Sequence, residues 1–201
     1  PITIWGTEFD DRLNQFSRDA TYMGLEGRDT VVYDGTRADF SIQILPSGTI
    51  RLSNDQFSHI HNSIERVEFS DGVLVFDIHG DFVASIYRLY GGAFGRAPDE
   101  DGLRFWAGME DEGLTLESIA RIFLGSPEFA DRFGSDLSNA ALVDMLYENV
   151  LGRSGDADGV AFWNAYLDTG GDRSKALLMF TTLPEYVGIS EGDITPGFWI
   201  A

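Results

Sequence analysis

The sequence predicts an α+β protein: a short N-terminal parallel β-roll continuing into a small β-unit, then an all-α C-terminal domain made of two similar helical repeats. Three observations lead there. Ile4, Leu13, Tyr22 and Val31 stand in constant phase nine residues apart, a period that belongs to stacked coils. From Thr30 to Asp77, β-branched and apolar residues alternate with period two between turn-forming clusters. From about Asp81 the period changes to 3.6, and residues 89–129 align without a gap to residues 146–186 at a constant offset of 57.

The first nine is Gly6-Thr7-Glu8-Phe9-Asp10-Asp11-Arg12-Leu13-Asn14; a degenerate nine follows, and then Gly24-Leu25-Glu26-Gly27-Arg28-Asp29-Thr30-Val31-Val32. The nonapeptide G-G-x-G-x-D-x-U-x builds a parallel roll in which Gly-Asp turns hold Ca²⁺ and the apolar U position fills the coil. Gly24 to Val32 matches it everywhere except at the second glycine, which is Leu25. Successive nines alternate sides, so the turn ending at Asp11 should lie under the turn ending at Asp29, with Ala20 facing the other way. One calcium site is therefore expected, not a ladder of them. A hard divalent cation takes about six to eight oxygens, and the stacked turns offer the carboxylates of Asp11 and Asp29 with backbone carbonyls around Gly6 to Glu8 and Gly24 to Glu26. The competing reading is a pair of ordinary Gly/Asp turns leading into strands.

Strands are expected at Thr30–Tyr33, Asp39–Leu45 and Thr49–Ser53, with Phe40, Ile42, Ile44, Ile50 and Leu52 on the inner face. Turns are expected at Asp34-Gly35, Pro46-Ser-Gly48 and Ser70-Asp71-Gly72, the last joining Val67–Phe69 to Val73–Phe76 as a hairpin. Beyond it, Val83, Ile86, Tyr87, Tyr90 and Phe94 form the apolar stripe of a first helix that stops near Gly95. Asp99 caps a second, ended by Gly113; Leu116 to Leu124 is a third; Ser126-Pro127-Glu128 supplies cap, first-turn proline and first-turn acid for a fourth. The second copy runs the same way from Asn139. Fourteen of the forty-one aligned pairs are identical, Phe105-Trp106 with Phe162-Trp163 among them, which reads as an internal duplication. The boundaries are thus 1–80, 81–189 with repeats at about 84–133 and 139–189, and a tail at 190–201, either docked through Phe198 and Trp199 or serving as an export signal.

The chain of 201 residues is 43% apolar and carries a net charge of −19. Such acidity repels phosphate backbones, so nucleic acid is excluded as a partner. The longest apolar runs are short pieces such as Ala176–Phe180, and no membrane span is expected. There is no cysteine, hence no disulfide framework or thiol chemistry. Pro1-Ile2-Thr3-Ile4 carries no basic stretch and no apolar stretch of a cleaved secretory signal.

Residues 4–35 resemble the edge of an RTX (haemolysin-type calcium-binding) region, most specifically at Gly24, Gly27, Asp29 and Val31. The segments Val31–Phe40 and Ile64–Val73 are similar to the β-segment that often trails such repeats. The resemblance implies type I secretion without a cleaved signal, folding on extracellular calcium, and roles as enzyme, adhesin or surface-layer component. The pattern Leu-Tyr-x-x-x-x-Gly-Arg-x-x-Asp-x-Asp-Gly-x-x-Phe-Trp, present twice over residues 84–187, resembles the bacterial domain-of-unknown-function family 4214, which often accompanies RTX repeats and has no assigned catalytic residues.

Other chemistry is weaker. Asp99-Glu100-Asp101-Gly102 and Asp156-Ala157-Asp158-Gly159 look like half an EF-hand loop, but with Gly102 at position six, positions one and twelve fall on Ala97 and Gly108, so helix capping is the better account. Arg96 and Arg153 read as clamps between helix ends. Phe105-Trp106 and Phe162-Trp163 read as core aromatics. His59 and His61 share one face of an extended strand, but third and fourth metal ligands, such as Glu65 or His79, are not evident, and a polar surface or loop is the default. No Walker loop, Gly-x-Ser-x-Gly, His-Glu-x-x-His or dinucleotide fingerprint occurs.

The expected function is that of a calcium-binding, non-enzymatic module of a secreted or surface protein, with Ca²⁺ as cofactor, acting in adhesion, matrix association or binding of a surface glycan or another protein. The alternatives are a cytoplasmic scaffold or adaptor using the duplicated repeat, and a secreted enzyme built around His59, His61 and His79.

Overall fold

The computed structural model describes the whole chain except residues 46–48, 77–81, 110–111, 195–197 and 201, and describes the backbone alone at 191, 192, 198 and 200. The Pro46-Ser-Gly48 turn and His79 thus lie outside the described residues. Two compact units result: Pro1–Asp77 with Thr195–Ala201, and Ile78–Ile194.

In the first unit, β1 (Ile2–Trp5), β2 (Arg12–Asn14), β3 (Ala20–Met23) and β4 (Thr30–Val32) make two coils. A 3-10 turn at Arg37–Asp39 and an antiparallel hairpin, β5 (Ser41–Ile44) with β6 (Ile50–Ser53), follow. A third coil comes from β7 (Ser58–Asn62) and β8 (Arg66–Phe69), and β9 (Gly72–Val75) turns back on β8 as the expected hairpin. One five-stranded sheet runs β1-β3-β7-β6-β5; the other runs from β2 through β4, β8 and β9 to β10 (Phe198–Ile200). The nine-residue phase governs the register: Ile4 pairs with Tyr22 in one sheet and Leu13 with Val31 in the other, both in parallel. Side chains at the U positions therefore point between the sheets, where Tyr22, Val31, Leu52 and Val67 are fully enclosed.

β7 departs from the sequence expectation. It is a central strand rather than a polar surface or loop, and its two histidines lie inside the core, 0% and 1% exposed. Burying an imidazole is tolerable only if its nitrogens are satisfied, and the Tyr33 hydroxyl lies between them, 2.6 Å from His59 Nδ1 and 2.9 Å from His61 Nε2. The outer nitrogens face backbone carbonyls, His59 Nε2 to Arg18 at 3.0 Å and His61 Nδ1 to Ile50 at 3.3 Å. Four contacts are shared among three protons when both rings are neutral. One arrangement that fits these distances has His59 Nε2 donating to Arg18, Tyr33 Oη donating to His59 Nδ1, and His61 Nε2 donating to Tyr33 Oη. In that arrangement the nitrogen without a proton is His61 Nδ1, at the longest of the four contacts. Phe57 stacks on His59 at 4.2 Å and Tyr22 on His61 at 5.2 Å between ring centroids.

The second unit is helical: α1 (Phe82–Phe94), α2 (Glu100–Gly108), α3 (Leu116–Leu124), α4 (Pro127–Phe133), α5 (Asn139–Leu151), α6 (Ala157–Asp168), α7 (Arg173–Thr181) and α8 (Pro184–Ile194). Each of α5 to α8 begins 57 residues after its counterpart among α1 to α4. Starts follow the side-chain caps: Asp99, Thr115, Ser126, Ser138, Asp156 and Asp172 each accept a backbone N–H of the following first turn. Asp99 and Asp156 are thus caps, bonded at 2.8 Å to the N–H of Gly102 and Gly159. α2 stops at Gly108, short of Gly113, which follows in the left-handed region at φ 81°. α8 runs past residue 189, because Tyr186, Ser190 and Ile194 continue one buried face at intervals of four. Leu89, Ile119, Leu146, Leu177 and Phe180 form the centre of this unit, all 0% exposed. Among the described residues, no helix is long and apolar enough to cross a membrane.

The histidine pair makes the β-unit acid-sensitive. Burial lowers both imidazole pKa values, that of His61 to about 3, although the Ile50 carbonyl, which only the protonated ring could bond, pulls the other way. A depressed folded-state value means the neutral ring is favoured, so this stability is complete above the unfolded value of about 6.5 and is lost as pH falls towards the folded one. His61→Phe, which keeps the stack on Tyr22, is expected to flatten the stability loss between about pH 6.5 and 4.5, as read from urea midpoints.

Candidate functional site

The turns of the roll are tied to one another by carboxylates that accept backbone N–H groups. Glu65 Oε2 accepts from Asp29 N at 2.8 Å, Asp29 Oδ1 accepts from Asp11 N at 2.9 Å, and Asp10 Oδ1 accepts from Arg28 N at 2.9 Å. Backbone bonds Gly6 N to Met23 O, Gly24 N to Asn62 O and Thr30 N to Asp11 O, 2.8–3.0 Å long, hold the same stack. The turn ending at Asp11 therefore lies against the turn ending at Asp29, as the register requires. Its own carboxylate closes the first turn: Asp11 Oδ2 accepts from Thr7 N at 2.5 Å and Thr7 Oγ1 at 2.9 Å.

Glycine at the first place of the first and third nines has a steric cause. A Cβ on Gly24 would overlap both the Ser63 carbonyl oxygen and Asp29 Oδ2. A Cβ on Gly6 would stand 2.5 Å from the Gly24 carbonyl oxygen and 2.8 Å from Asp11 Oδ2. At both levels a carboxylate oxygen and a carbonyl oxygen of the next coil converge over a glycine Cα. Leu25, at the motif's second glycine position, adopts φ 84°, the left-handed conformation that a glycine there accepts without strain.

Asp29 is the unusual group. Its residue is 0% exposed, Oδ1 is bonded, and Oδ2 has no hydrogen-bond partner among the described residues. Burial pushes its pKa up, the N–H of Asp11 pulls it down, and the charges of Asp11 and Asp10 push it up again. A buried carboxylate raised in this way, with one oxygen lacking a donor among the described residues, is electrostatically unfinished.

Of the six residues expected at a calcium site, Gly6, Asp11, Gly24 and Asp29 come together in this stack. The side chains of Glu8 and Glu26 are exposed, and their contribution would be through backbone oxygen. Sequence reasoning missed Ser63 and Glu65 here, since their turn spans only three residues between β7 and β8. Among the described residues no group of three or more histidine, aspartate or glutamate side chains is placed to hold a metal. A hard cation at the turns would thus take most of its oxygens from the backbone.

The remaining candidates resolve differently. His59 and His61 are enclosed and bonded to Tyr33, so they do not offer ligands or a base to solvent. Arg96 grips Glu128 at the start of α4 with two bonds of 2.7 and 2.8 Å, and Arg153 grips Glu185 at 3.3 and 3.1 Å. These clamps reach the fourth helix of each run, Arg96 also standing 4.0 Å from the neighbouring Asp99, and each guanidinium also lies over a ring, Tyr90 or Tyr147. Trp163 is core and Trp106 half-buried, but Phe105 and Phe162 are 57% and 61% exposed, so the aromatic pairs are split between core and surface.

Two substitutions probe the turn. Leu25→Gly relieves a left-handed leucine and is expected to raise β-unit stability by up to about 1 kcal/mol, measured by urea denaturation. Asp29 has a folded-state pKa raised above its unfolded value of about 3.9, so its favourable contribution holds below that value and is lost as pH rises through the folded one. Asp29→Asn, whose amide has an N–H to give the converging Ser63 carbonyl, is expected to stabilise the metal-free protein at pH 7 by about 1–2 kcal/mol in the same assay.

No curated protein matches the chain. Residues 120–189, from within α3 into α8, match the model of a family described as a domain of unknown function (DUF4214), so a DUF4214 domain is found in the helical unit.

Proposed function

We propose that this chain is a calcium-binding, non-catalytic module of a secreted or cell-surface protein, acting in adhesion, in surface or matrix association, or in binding a glycan or another protein. The observation that carries the reading is the idle, fully buried Asp29 Oδ2 converging with the Ser63 carbonyl over Gly24. Asp11 and Asp29, with carbonyls around Gly6 to Glu8 and Gly24 to Glu26, would hold the ion. Its charge would offset the mutual repulsion of Asp10, Asp11 and Asp29 and favour the ionised form of the buried carboxylate. The nonapeptide resemblance supports export by a type I route. The eight helices, in two runs of four with starts 57 residues apart, support an internal duplication that extends the DUF4214 likeness towards residue 84.

Calorimetric titration of EDTA-stripped protein with CaCl₂, beside thermal melts with and without calcium, tests this. The expected result is one strong site and a higher melting temperature, with stabilisation of about 2.7 kcal/mol at a hundredfold excess over Kd. Asp29→Ala should lose both the heat and the shift. A silent titration with unmoved melts would refute the calcium reading.

A second reading, an intracellular adaptor, draws on Phe105 and Phe162, which place similar exposed aromatics at matching points of α2 and α6. It is favoured if a specific partner is retained in EDTA and lost on double substitution of these phenylalanines by serine.

A further inference from the structure

The helical unit holds a cleft of about 190 Å³ whose lining includes Tyr87, Gly91 and Arg96 with Asn149, Tyr186 and Asp193. The offset of 57 gives each a counterpart in the other half of the helical sequence, and there the two halves part company: Tyr186 answers to Phe129, Asn149 to Gly92, Gly91 to Glu148, and Tyr87 to Asp144. Phe129 is a plain core side chain, 5% exposed. Tyr186 is equally enclosed at 7%, yet carries a hydroxyl that packing does not require. That hydroxyl lies over Gly91, where any Cβ would overlap it, and it has no hydrogen-bond partner among the described residues. Burial pushes its pKa up to about 12, so it is a neutral phenol, able both to give and to accept.

Asn149 shows a similar asymmetry. Its Nδ2 donates to the Gly92 carbonyl at 3.0 Å, which fixes the amide, while Oδ1 is left as an acceptor standing 2.9 Å from where a Cβ on Gly95 would be. Asp193 adds a carboxylate that accepts a hydrogen bond from Tyr87 and, beside Tyr186, has lone pairs left for a second donor. The one guanidinium of the lining, Arg96, is already held bidentately by Glu128, so the cleft has no spare positive charge for an anion. What it presents is a phenol hydroxyl, an oriented amide oxygen, a carboxylate and the Tyr87 ring, within a volume below the roughly 300 Å³ at which drug-sized pockets begin. A small, neutral molecule bearing several hydroxyl groups meets all of these at once.

We propose that this cleft binds a single neutral sugar ring, its hydroxyl groups donating to Asn149 Oδ1 and Asp193 and exchanging a hydrogen bond with Tyr186 Oη. The inference names the glycan arm of the proposed function but rests on the helical unit alone, independently of calcium.

Saturation-transfer NMR of the full chain with glucose, galactose, mannose and N-acetylglucosamine tests it. At least one of these sugars is expected to bind with a Kd of about 1 mM, the range open to a ligand of this size. Tyr186→Phe should weaken it about tenfold, the worth of one hydrogen bond in a differential measurement, without lowering the melting temperature, since phenylalanine fills the counterpart place. Asp193→Asn, at an exposed position, should weaken it as well. Failure of all four sugars to bind, or binding that neither substitution weakens, overturns the proposal. Binding that disappears in EDTA also overturns it; binding that persists in EDTA while the CaCl₂ titration is silent upholds the cleft and removes only the calcium reading.

Discussion

Stacking of the turns is the constraint on which the β-unit depends. A coil of nine-residue strands and turns can lie on its neighbour only if the chain passes close enough for the backbone ladder to continue. At Gly24 that approach is so tight that the Ser63 carbonyl takes the space of a Cβ. The same closeness brings Asp29 into the stack, where one oxygen joins the ladder and the other does not. Burial, register and an unsatisfied charge are therefore consequences of a single geometry. Ile4, Tyr22, Leu13 and Val31 fill the interior in phase with it, and the Tyr33, His59 and His61 cluster completes the core where the third coil is laid down.

Acidity serves the fold as well as the surface. With 33 acids against 14 basic residues, the chain uses many carboxylates as acceptors for backbone N–H groups that have no other partner. Glu65, Asp29 and Asp10 do this between coils, Asp39 within the 3-10 turn, and Asp99, Asp156 and Asp172 at helix starts. The arginines are spent on a few geometrically strict contacts, such as the Arg96 and Arg153 clamps and the bidentate Arg12 to Glu68 pair across β2 and β8. What separates Asp29 from the rest is that it is both enclosed and half-satisfied.

Much of this was legible in the sequence where a local rule carried it. The nine-residue phase located β1 to β4 and their pairing, Asp99, Ser126 and Asp156 marked helix starts, and Ser70-Asp71-Gly72 marked the β8–β9 hairpin. The third coil was hidden because the β5–β6 hairpin separates it from the second and its turn is three residues shorter than the motif. Without that coil, His59 and His61 look like polar surface, since nothing local shows that Tyr33 will lie between them. The Asp11 and Asp29 pairing was readable from spacing; the roles of Glu65 and the Ser63 carbonyl were not, because they are supplied by a strand far along the chain. Exposure of Phe105 and Phe162 also escaped the helical stripe, which does not distinguish its centre from its edge.

The proposed calcium site makes one demand of Asp29: a raised pKa that the ion brings down. It is tested most directly by NMR titration of the ¹³C-labelled Asp29 carboxyl group, with and without calcium. The account predicts a pKa above the ordinary aspartate value in EDTA that falls below it when calcium is added. An Asp29 that titrates normally in EDTA and ignores calcium would contradict the account.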